Sequence, residues 1–360
     1  MSPAAFRDRE FLRTPEDLFF CIVGELHPQD RAISYLRYTP SSQGLWSRGG
    51  KHYGRAMPSY SITHLLRNID LLKKTYPDYV FHSDVFNVEI SAVPRRHIIQ
   101  RYISQVKMKQ LSEMKRPDIL QKRAVELAAY LSETAYVPPE SFGVTGSVLI
   151  DLHNLKFSDI DLTVSGGENG LKLKDTLPHL YTDETSQLKS IPKPVLKKWY
   201  KEKVDTHHIS LNEAKAIQKR QWNYGSFKGT VFSLHPVRSK SEITERYGDH
   251  HFHPVGIVTG RAVISGVSES LFNPHIYRVE TFKVQEGTDA EDIREVVTYS
   301  GLYGGIYEEG EEVSVHGKLE YVEDTRKGGT YHRVLVGSPE AGGHDYIKPI
   351  SEDEASKRNI

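Results

Sequence analysis

Asp159 and Asp161 stand one residue apart in the run Asp-Ile-Asp-Leu-Thr-Val. In an extended chain alternate side chains share a face, so both carboxylates project together while Ile160 and Leu162 point into a core. Two such carboxylates repel each other unless a cation lies between them. Hard oxygen donors of this kind suit Mg2+ or Mn2+ bridged to phosphate. A short way upstream, Gly146 and Ser147 read as a tight turn between a strand end and a short helix. Glycine lets backbone approach a phosphate closely, and a serine hydroxyl at a helix start sits among N–H groups that favour anions. Together they make the minimum set for metal-assisted phosphoryl or nucleotidyl transfer. Either motif alone is commonplace; the order strand, Gly-Ser, helix, Asp-x-Asp strand is what carries information.

Weaker signals surround this pair. Residues 186–228 carry ten Lys and Arg against three acids and interleave Trp199, Tyr200, Trp222, Tyr224 and Phe227. That pattern fits either a platform for single-stranded nucleic acid or an amphipathic face with aromatic core anchors. Residues 94–123 are also basic, nine against two. Arg48, Lys51 and Arg55 lie in a Gly-rich stretch that is either an exposed hairpin loop or a phosphate contact. The Asp-His-His-Phe-His run at 249–253 has His251 and His253 on one strand face, but with no cysteine cluster it reads more simply as a polar junction than as a metal site.

The elements that must position these groups fall into three blocks, as expected for 360 residues. Residues 1–93 read as a small α+β domain, with strands at 18–26 and 32–38 and a helix whose Leu65, Leu66, Ile69 and Leu72 spacing stops at Pro77. Residues 94–250 hold the carboxylate motif. Within them, Asp118 is a helix cap and Leu120, Ala124, Leu127, Ala128 and Leu131 share one helical face. Residues 251–350 are short β-runs with glycines between them, a β-barrel-like domain of OB or similar type. Residues 351–360 form a polar tail. The fold class expected is α+β.

The Gly-Ser turn followed by Ser-Asp-Ile-Asp-Leu-Thr-Val resembles the signature of the DNA polymerase beta-like nucleotidyltransferase superfamily. More narrowly, FRDREFLRTPEDLFF near the start, VPRRHI and the Gly-rich β-rich end are similar to archaeal stand-alone proteins labelled only as predicted nucleotidyltransferases. The resemblance implies that Gly146 and Ser147 hold a nucleoside triphosphate and that Asp159 and Asp161 bind Mg2+ or Mn2+. It makes the central block a nucleotidyltransferase domain that moves a nucleoside monophosphate to an acceptor hydroxyl. RNA is the preferred acceptor, met through residues 94–123 and 186–228, with a protein or small molecule still open. Catalytic members of the superfamily carry a third carboxylate on a later strand. Here the corresponding strand, 230–237, offers Ser233 and His235 but no acid. Either the third ligand comes from elsewhere, or His235 serves as base, or turnover is weak or lost. The alternative is therefore a non-catalytic nucleic-acid- or nucleotide-binding protein on the same fold.

Forty-seven basic and 47 acidic side chains cancel to a net charge of zero, which excludes a uniformly basic nucleic-acid coat. The sum hides +7 in each basic segment and −8 over residues 282–360. The single cysteine, Cys21, excludes an intramolecular disulfide framework and Cys-based zinc ribbons. No apolar run approaches the ~20 residues of a membrane span, and Arg7, Asp8, Arg9, Glu10 and Arg13 occupy the place of a signal-peptide core. A cytoplasmic protein with no membrane partner is expected.

Overall fold

Alternating burial along residues 31–36 marks a strand with one face on a core, and that strand organises the first sheet of the computed structural model. The structure describes residues 5–59 and 61–350; the 351–360 tail lies outside them. The first strands are β1 (Phe11–Arg13), β2 (Phe19–Ile22), β3 (Arg31–Pro40), β4 (Trp46–Arg48) and β5 (Lys51–Arg55). Helix α1 (Ile62–Thr75) follows, then β6 (Val80–Ser83), β7 (Val88–Pro94) and β8 (Gln100–Tyr102). Their order is β4-β5-β3-β2-β1-β8, with β7 also on β3 and β6 on β7. Because β8 pairs with β1, this sheet reaches past Pro94, the boundary expected between the first two blocks. Arg101 on β8 is held there by Glu10, at 2.7 Å.

The Gly-rich basic stretch forms the β4–β5 hairpin, turned at Gly49 and Gly50 with φ of 55° and 78°. Asp17 anchors it. Its carboxylate accepts from Arg13 Nε at 2.6 Å, Lys51 Nζ at 2.9 Å and the Tyr53 hydroxyl at 2.8 Å. Burial pushes this carboxyl up, but the three donors outweigh it and hold it at about 2, below the ordinary 3.8. A depressed carboxyl stabilises the fold above its unfolded pKa and loses that contribution as pH falls through the folded value. Asp17→Asn, which keeps the left-handed backbone (φ 65°) acceptable, should lower stability by about 2 kcal/mol at pH 7. The gap to wild type should narrow between pH 4 and 2. Urea denaturation across that range reads it, and equal stabilities at pH 7 would refute the assignment.

The middle of the chain contains α2 (Ser104–Ser112), α3 (Ile119–Ala135), β9 (Phe142–Val144), α4 (Gly146–Leu149), β10 (Ile160–Ser165) and α5 (Gly167–Thr182). It continues with β11 (Leu188–Lys189), α6 (Lys193–Thr206), α7 (Leu211–Arg220), β12 (Tyr224–Phe227) and β13 (Thr230–Val237). Asp118 caps α3 as expected, in a reciprocal box with Gln121. The apolar face of that helix is buried from Leu120 to Leu131. The sheet runs β11-β12-β13-β10-β9, with β10 parallel to β13 and the other neighbours antiparallel. Trp222 and Phe227 lie inside this core, so they are anchors and not an exposed platform.

The last sheet comprises β14 (His250–Gly266), β15 (His275–Gly287), β16 (Ile293–Thr298), β17 (Glu312–Asp324), β18 (Thr330–Val336) and β19 (Tyr346–Pro349). It curls until β14 pairs with both β15 and β17, and β16 runs parallel to β18. The molecule is thus α+β, with three sheets and seven α-helices among the described residues. No helix among those residues is long and apolar enough to cross a membrane.

Candidate functional site

Parallel pairing of β10 with β13 sets the site. It places Asp161 opposite Ser233 and Thr163 opposite His235, while antiparallel β9 on the other flank delivers the chain to Thr145. Ile160, Leu162 and Val164 are fully buried, which leaves Asp159 and Asp161 on the other face. Thr145 N–H donates to the Asp161 carbonyl at 2.8 Å, so the Gly-Ser turn begins beside the carboxylate it must serve. Gly146 has φ of 62°, and a Cβ built there would lie 2.2 Å from Asp161 Oδ2. Only glycine permits both the left-handed turn and the close approach. Ser147 is buried, with its hydroxyl 3.4 Å from that of Ser158, the residue before Asp159. All four residues singled out by the sequence, Gly146, Ser147, Asp159 and Asp161, line one cavity of about 1200 Å³ where the three sheets meet.

The electrostatics show an unrelieved charge. Asp161, and then burial, push the Asp159 carboxyl up to about 7, against the opposing pull of Arg55 and Arg37. A divalent cation would offset that repulsion, and two carboxylates are the hard donors Mg2+ or Mn2+ prefer. Asp159 and Asp161 are thus the residues that would hold such an ion. Among the described residues, no group of three or more His, Cys, Asp and Glu side chains is arranged around a metal position, at this pair or at His250–His253.

Opposite Asp161 stands a hydrogen-bonded chain and no acid. The Ser233 hydroxyl donates to Asp161 Oδ1 at 2.5 Å, and His235 Nε2 lies 2.8 Å from the same serine oxygen. Ser233 has one proton, so giving it to Asp161 leaves its oxygen to accept from His235 Nε2–H. Burial, with Arg9 and His275 nearby, holds His235 well below the usual histidine range. His235 orients Ser233, which in turn orients Asp161.

The N-terminal sheet closes the site from the other side, a contribution with little signature in the sequence. Thr145 Oγ1 donates to the Arg9 carbonyl at 2.6 Å. Leu149, Ile150 and Leu152, just after the Gly-Ser turn, pack with Phe11, Phe19, Tyr38 and Tyr53. Trp46 meets Phe157 edge-on at 5.4 Å, and Asn154 Nδ2 donates to the Leu45 carbonyl at 3.2 Å.

Over 352 residues, 95% of this chain and 98% of the other, the sequence is 28% identical to "Uncharacterized protein MJ1086" of Methanocaldococcus jannaschii. No family model matches the chain, and no solved structure matches it.

Proposed function

We propose that the protein is a nucleotidyltransferase that moves a nucleoside monophosphate from a nucleoside triphosphate to an acceptor hydroxyl, with RNA as the preferred acceptor. The observation that carries this reading is the close approach of the Gly146 turn to Asp161, which supports a phosphate cradle lying against a carboxylate pair. Asp159 and Asp161 would hold Mg2+ or Mn2+, which supplies charge neutralisation at the transferring phosphoryl group. Gly146 and Ser147 hold the triphosphate by backbone and hydroxyl, and Ser233 keeps Asp161 in one orientation. In balance, the acceptor oxygen bonds to the α-phosphorus, pyrophosphate leaves with the broken P–O bond, and the hydroxyl proton passes to solvent.

A macromolecular acceptor suits the lysines of α6, in which no residue is buried. Other basic side chains in the two segments are taken up internally: Lys107 by Asp151, Lys228 by Glu126 and Arg220 by Glu311. The curled sheet has the strand order first-second-third-fifth-fourth-first, with third and fifth parallel. This is the order of OB-type barrels, many of which bind nucleic acid, and it supports the reading by fold analogy alone.

Ser233 at the place of a third carboxylate favours a second reading, in which the site binds nucleotide without turnover. Incubation with each labelled triphosphate, Mg2+ or Mn2+, and total RNA separates the two. Incorporation is expected, and should vanish in the Asp159→Ala/Asp161→Ala double variant. No incorporation by wild type, with RNA binding unchanged in the double variant, would overturn the enzyme reading.

A further inference from the structure

Three cations of the hairpin region have different fates. Arg48 Nη1 donates to the Tyr102 hydroxyl and Lys51 is tied to Asp17, whereas Arg55 lines the cavity beside the carboxylate pair. Its guanidinium stacks 4.7 Å over the Trp46 ring, and Trp46 in turn packs on Phe157, two residues before Asp159. The stack fixes where Arg55 stands relative to the Asp-x-Asp strand. Arg37 lies on the adjoining strand: Tyr38 pairs with Arg55, and Ala56 N–H donates to the Arg37 carbonyl at 3.0 Å. The Arg37 side chain is buried, with Nη1 3.4 Å from the Met57 carbonyl, and it too lines the cavity.

We infer that Arg37 and Arg55, contributed by β3 and β5 of the N-terminal sheet, form a guanidinium clamp for a polyphosphate tail whose other end rests on the Gly146–Ser147 turn. The inference deepens the proposed function and rests on it for the identity of the tail as the β- and γ-phosphates of a nucleoside triphosphate. Two planar guanidinium groups match phosphate oxygens in a way ammonium groups do not. A stacked, partly preorganised arginine loses less freedom on binding than a solvated one. Both arginines also lower the Asp159 carboxyl, which places their field at the carboxylates where a bound phosphate would lie. The N-terminal sheet is then part of the nucleotide site, and its docking through Trp46–Phe157 and Thr145–Arg9 acquires a purpose beyond packing.

Calorimetric titration with tripolyphosphate tests this, in EDTA and then with Mn2+, using the full chain. Wild type should bind tripolyphosphate in EDTA, because the clamp needs no metal. Arg55→Ala should weaken that binding about tenfold or more and Arg55→Lys less, while AMP, which lacks the tail, should bind both variants as it binds wild type. Arg37→Lys, chosen to keep a cation at a buried position, should weaken tripolyphosphate binding in the same direction. Asp159→Asn/Asp161→Asn should bind it in EDTA at least as well as wild type. Arg55→Ala and Arg37→Lys that bind tripolyphosphate like wild type, or a wild type that does not bind it, would overturn the clamp. Arginine-dependent binding without nucleotide transfer would instead sink the transferase reading and leave the clamp standing.

Discussion

Gly146→Ala should reduce nucleotide transfer by about 100-fold or more while leaving a folded protein. The added Cβ meets Asp161 Oδ2 at 2.2 Å and its Cγ at 3.2 Å. The carboxylate has two ways to yield. It can rotate, which breaks the bond from Ser233 and moves an oxygen of the proposed metal pair, or the turn can shift, which moves the proposed phosphate cradle. Either displacement is of the order that costs two powers of ten when reacting groups lose alignment. Alanine at φ of 62° adds a backbone cost of about 1–2 kcal/mol, small enough that thermal melting should show a cooperative transition at lower temperature. The two effects are separable because only the first reaches Asp161. Initial rates and Mn2+ titration should fall together in Gly146→Ala. A variant at Gly229, where φ is 78° but nothing lies within 4 Å of an added Cβ, should show the backbone cost alone. If Gly146→Ala binds Mn2+ and transfers nucleotide like wild type, the turn does not serve the carboxylate.

What could be read along the chain was what depends on local period and local chemistry. Ile160, Leu162 and Val164 alternate, so the strand and the shared face of Asp159 and Asp161 followed from geometry alone. Asp118 announced α3 because an aspartate just ahead of an apolar helical face reads as an N-cap. Strand 230–237 was legible too, and with it the absence of an acid where Ser233 lies opposite Asp161. Contacts between distant segments were not legible. Arg37 sits in a strand that reads as core, and nothing local says that its far end opens on a cavity shared with residues 146–161. The aromatic and lysine pattern of 186–228 suits a binding platform and a packed amphipathic surface equally. Burial of Trp222 and Phe227 is decided by the sheet they pack against, which no window of sequence contains. Likewise β8 joins the first sheet through its pairing with β1 and the bond from Arg101 to Glu10, about ninety residues away in the chain.

Ser233→Asp should convert the site from one that tolerates a metal to one that requires it. Ser233 is buried, gives its only proton to Asp161 and directly faces it across the parallel pair. An aspartate there removes the donor and adds a third carboxylate to a pair that already holds Asp159 up at about 7. Without a cation, that added buried charge lacks compensation and should cost about 3–5 kcal/mol, so the melting temperature in EDTA should drop well below wild type. With Mn2+ the three carboxylates would share the ion's charge. The melting temperature should recover, and Mn2+ affinity should exceed that of wild type about tenfold or more, since added ligand charge tightens binding of hard cations. Ser233→Asn, a neutral residue of the size of aspartate that keeps an N–H donor, should show the cost of the larger side chain without metal dependence. An EDTA melting temperature equal to wild type, or no Mn2+ rescue, would mean that position 233 does not share a metal position with Asp159 and Asp161. The catalytic outcome then discriminates between the two functional readings. A wild type that already transfers nucleotide works with two carboxylates and the Ser233–His235 relay, which Ser233→Asp removes, so its rate should fall. A wild type that only binds nucleotide, and gains transfer in Ser233→Asp, would show that the scaffold retains every part of the reaction except the carboxylate that Ser233 replaces.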